Sequence, residues 1–315
     1  MAIKATNLFR MVVNPNNLKR RLRKWGSTTK IFSRNWMGVI GLVMMVTIII
    51  LAIIGPDITD YDPYGFFTID RNVRPNWDHL LGTNGYGQDV FTILLESLRV
   101  SLLVGVVAGS LTVLFGTTIG VASAYIGGWV DTLIMRITDV ILVLPALPLM
   151  LVLASIAPLL VDKIPWIDIV PQWFIIASIY IIVFWPVSAR LIRSQALSLK
   201  QRAFITGAKA SGASRTYIIF KHILPNVFPL MLTMIITSMR QAILYEAFLS
   251  YLGLGDPLTW TLGQMLHNAQ VHAAFASGNW WLFWPPGIAI GLITLSFAFV
   301  GMAFDEIVNP RLRQR

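Results

Sequence analysis

Ionisable side chains are scarce in this sequence, so the few that stand in patterns carry information. Between residues 190 and 225, Arg202, Thr206 and Lys209 fall near i, i+4 and i+7, one face of a helix, with Phe204, Ile205 and Ala208 on another. Gly207, Ala208, Ala210 and Gly212 are small, which lets a second surface come near the backbone. Gly212 can turn the chain, Ser214 can cap a second helix starting at Arg215, and Pro225 marks that helix's expected end. Such a helix–turn–helix offers charge and shape for docking to a partner rather than groups for making bonds. A second pair, Arg240 and Glu246, sits inside an apolar run, where an ionisable group costs about 2.5–3.5 kcal/mol on insertion scales and therefore faces a bundle interior or water. Their spacing sets them about 120° apart around a helix, so they do not form a simple intrahelical pair. Arg240 could attract a carboxylate and Glu246 an ammonium group along a pathway; the competing reading has Glu246 bonded to another helix or near an interface.

Catalytic chemistry finds little to work with. With Cys 0 there is no disulfide framework, no cysteine-held metal and no thiol nucleophile. His79, His222, His267 and His272 show no metal-ligand spacing beyond a loose pair at 267 and 272. No G-x-x-x-x-G-K-[ST] run occurs, so the chain lacks a phosphate-cradling loop and any ATP chemistry lies elsewhere. Arg136 and Asp139, at i and i+3, are expected to steady the start of a helix.

The elements that must position these residues follow from composition. Of 315 residues 56% are hydrophobic and 13% charged, whereas a soluble domain carries roughly 25% charged residues. This argues against a water-soluble enzyme. Apolar runs at 36–54, 100–126, a proline-broken 133–160, 173–189, 227–252 and 284–304 predict six transmembrane helices and an all-α integral membrane fold. The first run follows a long basic segment and leads into Gly55-Pro56-Asp57, so it reads as a retained anchor. The expected organisation is a basic segment 1–35, a first transmembrane helix 36–55, an extracytoplasmic segment 56–98, a five-helix core 99–305 containing a loop 190–226, and a tail 306–315.

Charge orients the helices. The net charge of +10 would suggest nucleic acid in a soluble protein, but the basic residues collect between apolar runs, which points to topology and to no nucleic-acid partner. Residues 1–35 hold Lys4, Arg10, Lys19, Arg20, Arg21, Arg23, Lys24, Lys30 and Arg34 without an acid. The 190–221 stretch adds Arg190, Arg193, Lys200, Arg202, Lys209, Arg215 and Lys221, again without an acid, and the tail adds Arg311, Arg313 and Arg315. All three regions fall on one side of a six-span chain, so both termini and the loop are expected in the cytoplasm. The opposite side carries Asp57, Asp60, Asp62, Asp70, Asp78 and Asp89. Trp36, Trp173, Trp280, Trp281 and Trp284 stand at proposed interfaces, and residues 17–25 read either as a basic amphipathic helix on membrane lipid or as an ordinary basic flank. Gly105/Gly109 and Gly116/Gly120 form G-x-x-x-G pairs that allow close helix approach.

The run Arg202-Ala203-Phe204-Ile205-Thr206-Gly207-Ala208-Lys209-Ala210-Ser211-Gly212, continued by Lys221-His222-Ile223-Leu224-Pro225-Asn226, resembles the EAA loop of ABC importer permeases of the dipeptide/oligopeptide group. Leu81-Gly82-Thr83-Asn84-Gly85, Gly127-Gly128-Trp129-Val130-Asp131, Glu246-Ala247-Phe248-Leu249-Ser250 and Asn309-Pro310-Arg311 extend the resemblance over nearly the whole chain, and it is similar in particular to the C-type subunit. The resemblance implies a type I ABC importer permease fold in the plasma (inner) membrane. It implies a second, B-type permease subunit, two ATPase subunits and an extracytoplasmic substrate-binding protein as partners, with ATP and Mg bound by those partners and no cofactor in this chain. Arg202, Phe204, Thr206, Gly207, Ala208, Lys209 and Gly212 would couple to the ATPases. Thr206 and Gly207 stand where the family's loop has Glu and Ala, so a salt bridge from that acid is not carried over, and shape with charge from Arg202 and Lys209 takes its place. The loop after Gly255, Asp256-Pro257-Leu258-Thr259, is less proline-rich than the family's. The implied cargo is di- or oligopeptides, with oligosaccharides or another small solute as alternatives. An ion-coupled secondary transporter or channel, the competing class, would use the intramembrane charges and need no docking loop.

Overall fold

A computed structural model describes residues 32–65, 70–161 and 171–308, and helices and loops make up all of it. The basic residues before 32, the amphipathic reading of 17–25 and the tail arginines lie outside the described residues. The helices are α1 Trp36–Ile58, α2 Val90–Ile126, α3 Gly128–Val143, α4 Ala146–Val161, α5 Gln172–Lys200, α6 Ala203–Ala210, α7 Arg215–Ile218, α8 Leu224–Tyr251, α9 Leu262–Val271 and α10 Trp284–Val308. Among the described residues five helices are long and apolar enough to cross a membrane, counting 215–251 as one, and α3 with α4, bent by 93°, can serve as a sixth span.

Boundaries differ from the hydropathy reading where charges sit on helix surfaces. α2 begins at Val90 rather than at residue 99 or 100 because Asp89 caps it, accepting from the Thr92 N–H at 2.8 Å and from the Thr92 hydroxyl at 2.8 Å. Its first turns carry Glu96 and Arg99, which end an apolar run, yet Val90, Ile93, Leu95 and Leu98 are buried. α5 likewise runs on past Ala189 to Lys200, so residues 190–200 are helix rather than loop. Pro225 does not end α7. A widened turn at Ile219–Ile223, in which the Leu224 N–H donates to the Ile219 carbonyl, carries the helix through into α8. Proline has no N–H and its ring crowds the carbonyl four residues back, and one wide turn accommodates both. Asn226 Nδ2 donates to the His222 carbonyl at 2.6 Å, supplying a partner at the break.

α2 is the axis of the bundle. A Cβ at Gly109 would lie 2.5 Å from the Met239 backbone nitrogen of α8, and one at Gly105 would strike Ile243. On the other glycine pair, a Cβ at Gly116 would meet Ser188 and one at Gly120 the Ala189 carbonyl of α5, both at 2.5 Å. The two pairs meet different neighbours although eleven residues, about three turns, keep them on nearly the same face, because they stand about 16 Å apart along the helix. Lipid tails are as apolar as leucine, so this backbone-to-backbone packing supplies cohesion that a water-driven effect does not. Apolar clusters stack along α2: Val90, Ile93 and Leu98 with Leu262, Trp281 and Ile293; Val104 and Ala108 with Met150, Tyr180 and Leu249; Val113, Val121 and Ala124 with Ile192, Ile205 and Ile223.

Residues 59–65 and 70–89 fold over one end of this bundle. Trp281 Nε1 donates to the Thr83 carbonyl at 3.2 Å, Trp260 Nε1 to the Pro63 carbonyl at 2.9 Å, and His79 Nδ1 lies 3.0 Å from an Asp89 carboxylate oxygen.

Gly109→Leu and Gly120→Leu are expected to lower the apparent Tm of the purified membrane complex by several degrees, the overpacking of about 1–3 kcal/mol that a methylene-bearing side chain imposes on a filled contact. Gly291→Leu, whose Cβ meets nothing within 4 Å, is expected to leave it unchanged. A dye-based thermal melt in detergent reads both.

Candidate functional site

Two features organise the end of the bundle opposite residues 59–89. The first is a set of charge contacts that fixes where α5 ends. Arg193 of α5 holds Asp131 of α3 in a two-pronged pair, Nε to Oδ1 and Nη2 to Oδ2 both at 2.5 Å, and Ser123 of α2 donates to the same carboxylate. Arg190 pairs with Asp139 and donates from Nε to the Thr138 hydroxyl at 3.2 Å. Lys200, the last residue of α5, donates from Nζ to the Ala124 and Tyr125 carbonyls at 3.0 and 3.3 Å, where α2 leaves carbonyls without helical partners. The Arg136–Asp139 contact is 3.9 Å long with Arg136 79% exposed, so the interaction expected to steady a helix start is weak and Asp139 belongs chiefly to Arg190.

The second feature is α6, an eight-residue helix held just beyond that anchored end. Ile205 is fully buried, at 0% exposure, within the cluster that includes Val121, Ala124, Ile192, Ile218 and Ile223. Its neighbour Phe204, one residue or about 100° away around the helix, is 47% exposed. Phe204 and Ile205 therefore do not share a face as the spacing suggested. Arg202, Phe204, Thr206, Gly207 and Lys209 are exposed together, and Ala208 is half-buried beside them. The turn after α6 follows the expected form. Gly212 has φ +81°, its N–H donates to the Lys209 carbonyl, the Ala213 N–H donates to the Ala208 carbonyl, and Ser214 caps α7 by accepting from the Tyr217 N–H at 3.2 Å. Arg202, Lys209, Arg215 and Lys221 make no ion pair among the described residues. The result is a small, convex, basic surface with an aromatic ring and a bare backbone at Gly207, where a Cβ would meet nothing within 4 Å.

The intramembrane pair separates. Glu246 is 1% exposed and has its partners inside the fold: Ser250 donates to it at 2.7 Å and Ser101 of α2 at 3.5 Å, while the Leu262 N–H at the start of α9 donates to the Ser101 hydroxyl at 3.0 Å. The carboxyl group thus ties α8, α2 and α9 together, and the pathway-lining role expected of it gives way to the interhelix bonding that was its alternative. A buried carboxyl without those donors would cost several kcal/mol, which explains why the serines accompany it. Arg240 is half-buried and makes no hydrogen bond or ion pair among the described residues. It shares its side of α8 with Thr237, Gln241 and Leu244, a face that α2 and α5 leave uncovered.

Sequence reading counted Arg190, Arg193 and Lys200 only as basic loop residues. The partners of the two arginines, Asp139 and Asp131, stand eight residues apart on α3 while Arg190 and Arg193 stand three apart on α5, so no matching spacing in the sequence announced the pairs. Among the described residues no group of three or more His, Asp or Glu stands close enough to hold a metal.

Known proteins share this sequence pattern. A family described as "Binding-protein-dependent transport system inner membrane component" matches residues 116–314, and one described as "N-terminal TM domain of oligopeptide transport permease C" matches residues 24–80. The chain is 34% identical over 284 residues to a putative peptide permease protein of Brucella suis, covering 89% of each chain. It is 31% identical over 303 residues to the dipeptide transport system permease protein DppC of Alkalihalophilus pseudofirmus, covering 95% of this chain and 94% of that one. To the oligopeptide transport system permease protein OppC of Bacillus subtilis it is 31% identical over 299 residues, covering 94% and 92%.

Proposed function

Because this chain belongs to the family of binding-protein-dependent transport system inner membrane components and is a permease subunit of a peptide importer, we propose that α6 and the turn at Gly212 form the surface through which cytoplasmic ATPases drive it. The supporting observation is the combination found at α6: Ile205 and Lys200 lock the element to the bundle, while Arg202, Phe204, Thr206, Gly207 and Lys209 stay exposed with no partner of their own for the charges. A plug fixed on one side and open on the other passes a push from a bound motor into α5 and α2. With Thr206 where an acid would stand, the contact rests on shape and on the positive charges of Arg202 and Lys209, and it weakens as salt screens them.

Under this reading the chain pairs with a B-type permease, two ATPases that bind ATP and Mg, and an extracytoplasmic binding protein, and it carries no cofactor itself. Both termini and α6 lie in the cytoplasm and residues 59–89 outside. The unpaired bases at α6 support that orientation, since Lys and Arg near helix ends are retained on the cytoplasmic side. Arg240 faces the pathway between the two permeases, where a peptide's carboxylate supplies the anion its own fold does not. Carriage of oligosaccharides would leave that cation without a purpose, and an ion-coupled carrier would leave α6 without one.

Ala208→Trp and Gly212→Val are expected to leave membrane insertion intact, to reduce co-purification of the ATPases and to abolish ATP-dependent peptide uptake in reconstituted vesicles. Normal assembly and uptake in both variants would remove α6 from the coupling role. Arg240→Ala is expected to cut uptake of a free tripeptide by about tenfold, the equivalent of about 1.4 kcal/mol, while leaving assembly unchanged and uptake of the C-terminally amidated peptide little affected. Equal losses for both peptides would contradict carboxylate recognition.

A further inference from the structure

At the bundle end that carries residues 59–89, a groove of about 370 Å³ runs between the last turns of α1, the first turns of α2 and the first turns of α10. Its walls are Leu51 of α1, Leu98 of α2 and Ile288 and Leu292 of α10, and Trp280 and Trp284 stand at its mouth. Leucine, isoleucine, alanine, proline and tryptophan are the residue types that line it. Leu51, Ile288, Leu292 and both tryptophans are exposed, so the groove is open sideways rather than sealed.

Its position and lining select the occupant. α1 finishes and α2 and α10 start at this end of the bundle, so the groove occupies the depth of one leaflet, from the loop boundary inward. Water has no polar partners along the walls, and apolar cavities stay dry. A peptide laid there would lose its backbone hydrogen bonds without replacement. A transmembrane helix, about 10–12 Å across with its side chains, is too thick to enter, although its side chains could lie over the opening. A hydrocarbon tail meets every condition: it is slender, needs no hydrogen bonds and is already the solvent at this depth. Trp280 and Trp284 sit where the helix gives way to loop, the level at which indole rings prefer the headgroup boundary.

We propose that this groove seats one acyl chain of a phospholipid, with Trp280 and Trp284 marking its headgroup end, so that a bound lipid fills the gap between α1 and the α2–α10 core. On the α1 side of the seam, Ile48, Ala52 and Gly55 pack inward while Ile50, Ile53 and Ile54 are exposed. The site is independent of how α6 couples to ATPases.

The test uses the complete heteromeric complex in nanodiscs doped with a phosphatidylethanolamine that carries a diazirine at mid-chain, followed by illumination and peptide mapping. Adducts are expected to concentrate on residues 284–292 and 94–98, several-fold above those on Val43 and Val46, which are exposed on α1 and do not line the groove. Leu292→Trp and, separately, Ala289→Phe fill the groove and are expected to reduce its adducts several-fold without altering those at Val43 and Val46. Leu292 is already exposed, so its replacement is tolerated by the fold. Even labelling of all exposed helix faces, adducts unchanged in both variants, or cross-links from the groove to the second permease in place of lipid would each overturn the proposal.

Discussion

Close approach of α2 to its neighbours is the constraint on which the rest depends. Inside a bilayer, burial of apolar side chains gains little over contact with lipid, so helices cohere where their surfaces interlock. Gly105 and Gly109 let α2 meet α8 at Met239 and Ile243, and Gly116 and Gly120 let it meet α5 at Ser188 and Ala189. Those contacts leave the α8 face with Arg240 uncovered and carry α5 down to Lys200, from which α6 hangs. Because packed interiors transmit strain rather than absorb it, the proposed push on α6 would pass into α5 and, through the glycine contacts, into α2 and α8.

Electrostatics divides the basic run at 190–221 into two groups with different work. Arg190, Arg193 and Lys200 are engaged with Asp139, Asp131 and the last carbonyls of α2. They hold α3 and α5 together at the end from which α6 projects. Arg202, Lys209, Arg215 and Lys221 have no such partners among the described residues and give that end its positive surface. The same end of the bundle is thus marked by charge and, under the proposed coupling role, is the end that receives another protein. At the other end Glu246, Ser101 and Ser250 knit α8, α2 and α9 beneath the 59–89 segment, and the apolar seam beside α1 offers room for lipid.

Local chemistry was legible in the sequence and long-range pairing was not. Gly212 as a turn, Ser214 as a cap and the close approach at the α2 glycines were read correctly because each depends on residues a few positions apart. The ends of α2 and α5 were misplaced because hydropathy treats Glu96, Arg99, Arg190 and Arg193 as breaks, whereas a helix tolerates them once they reach a surface or an opposite charge. Pro225 was read as a stop because one wide turn at Ile219–Ile223 leaves no trace in composition. Phe204 and Ile205 were grouped although adjacent helical residues diverge, and only packing shows which of them is the anchor. Asp131 with Arg193, and Glu246 with Ser101, join positions far apart in the chain, and no periodicity reports such contacts.

The central claim is that α6 touches an ATPase in the cytoplasm, and the absence of native cysteine permits a direct measurement. Lys209→Cys, in membranes containing the whole complex, can be treated with a maleimide–benzophenone reagent and illuminated, so that the second bond forms to any neighbouring C–H, and, separately, with a membrane-impermeant maleimide from either side. The expected result is a cross-link between this chain and an ATPase subunit, with maleimide reaching the new thiol only in inside-out vesicles. Labelling of that thiol in intact cells from outside, or cross-linking that never captures an ATPase, would contradict the claim.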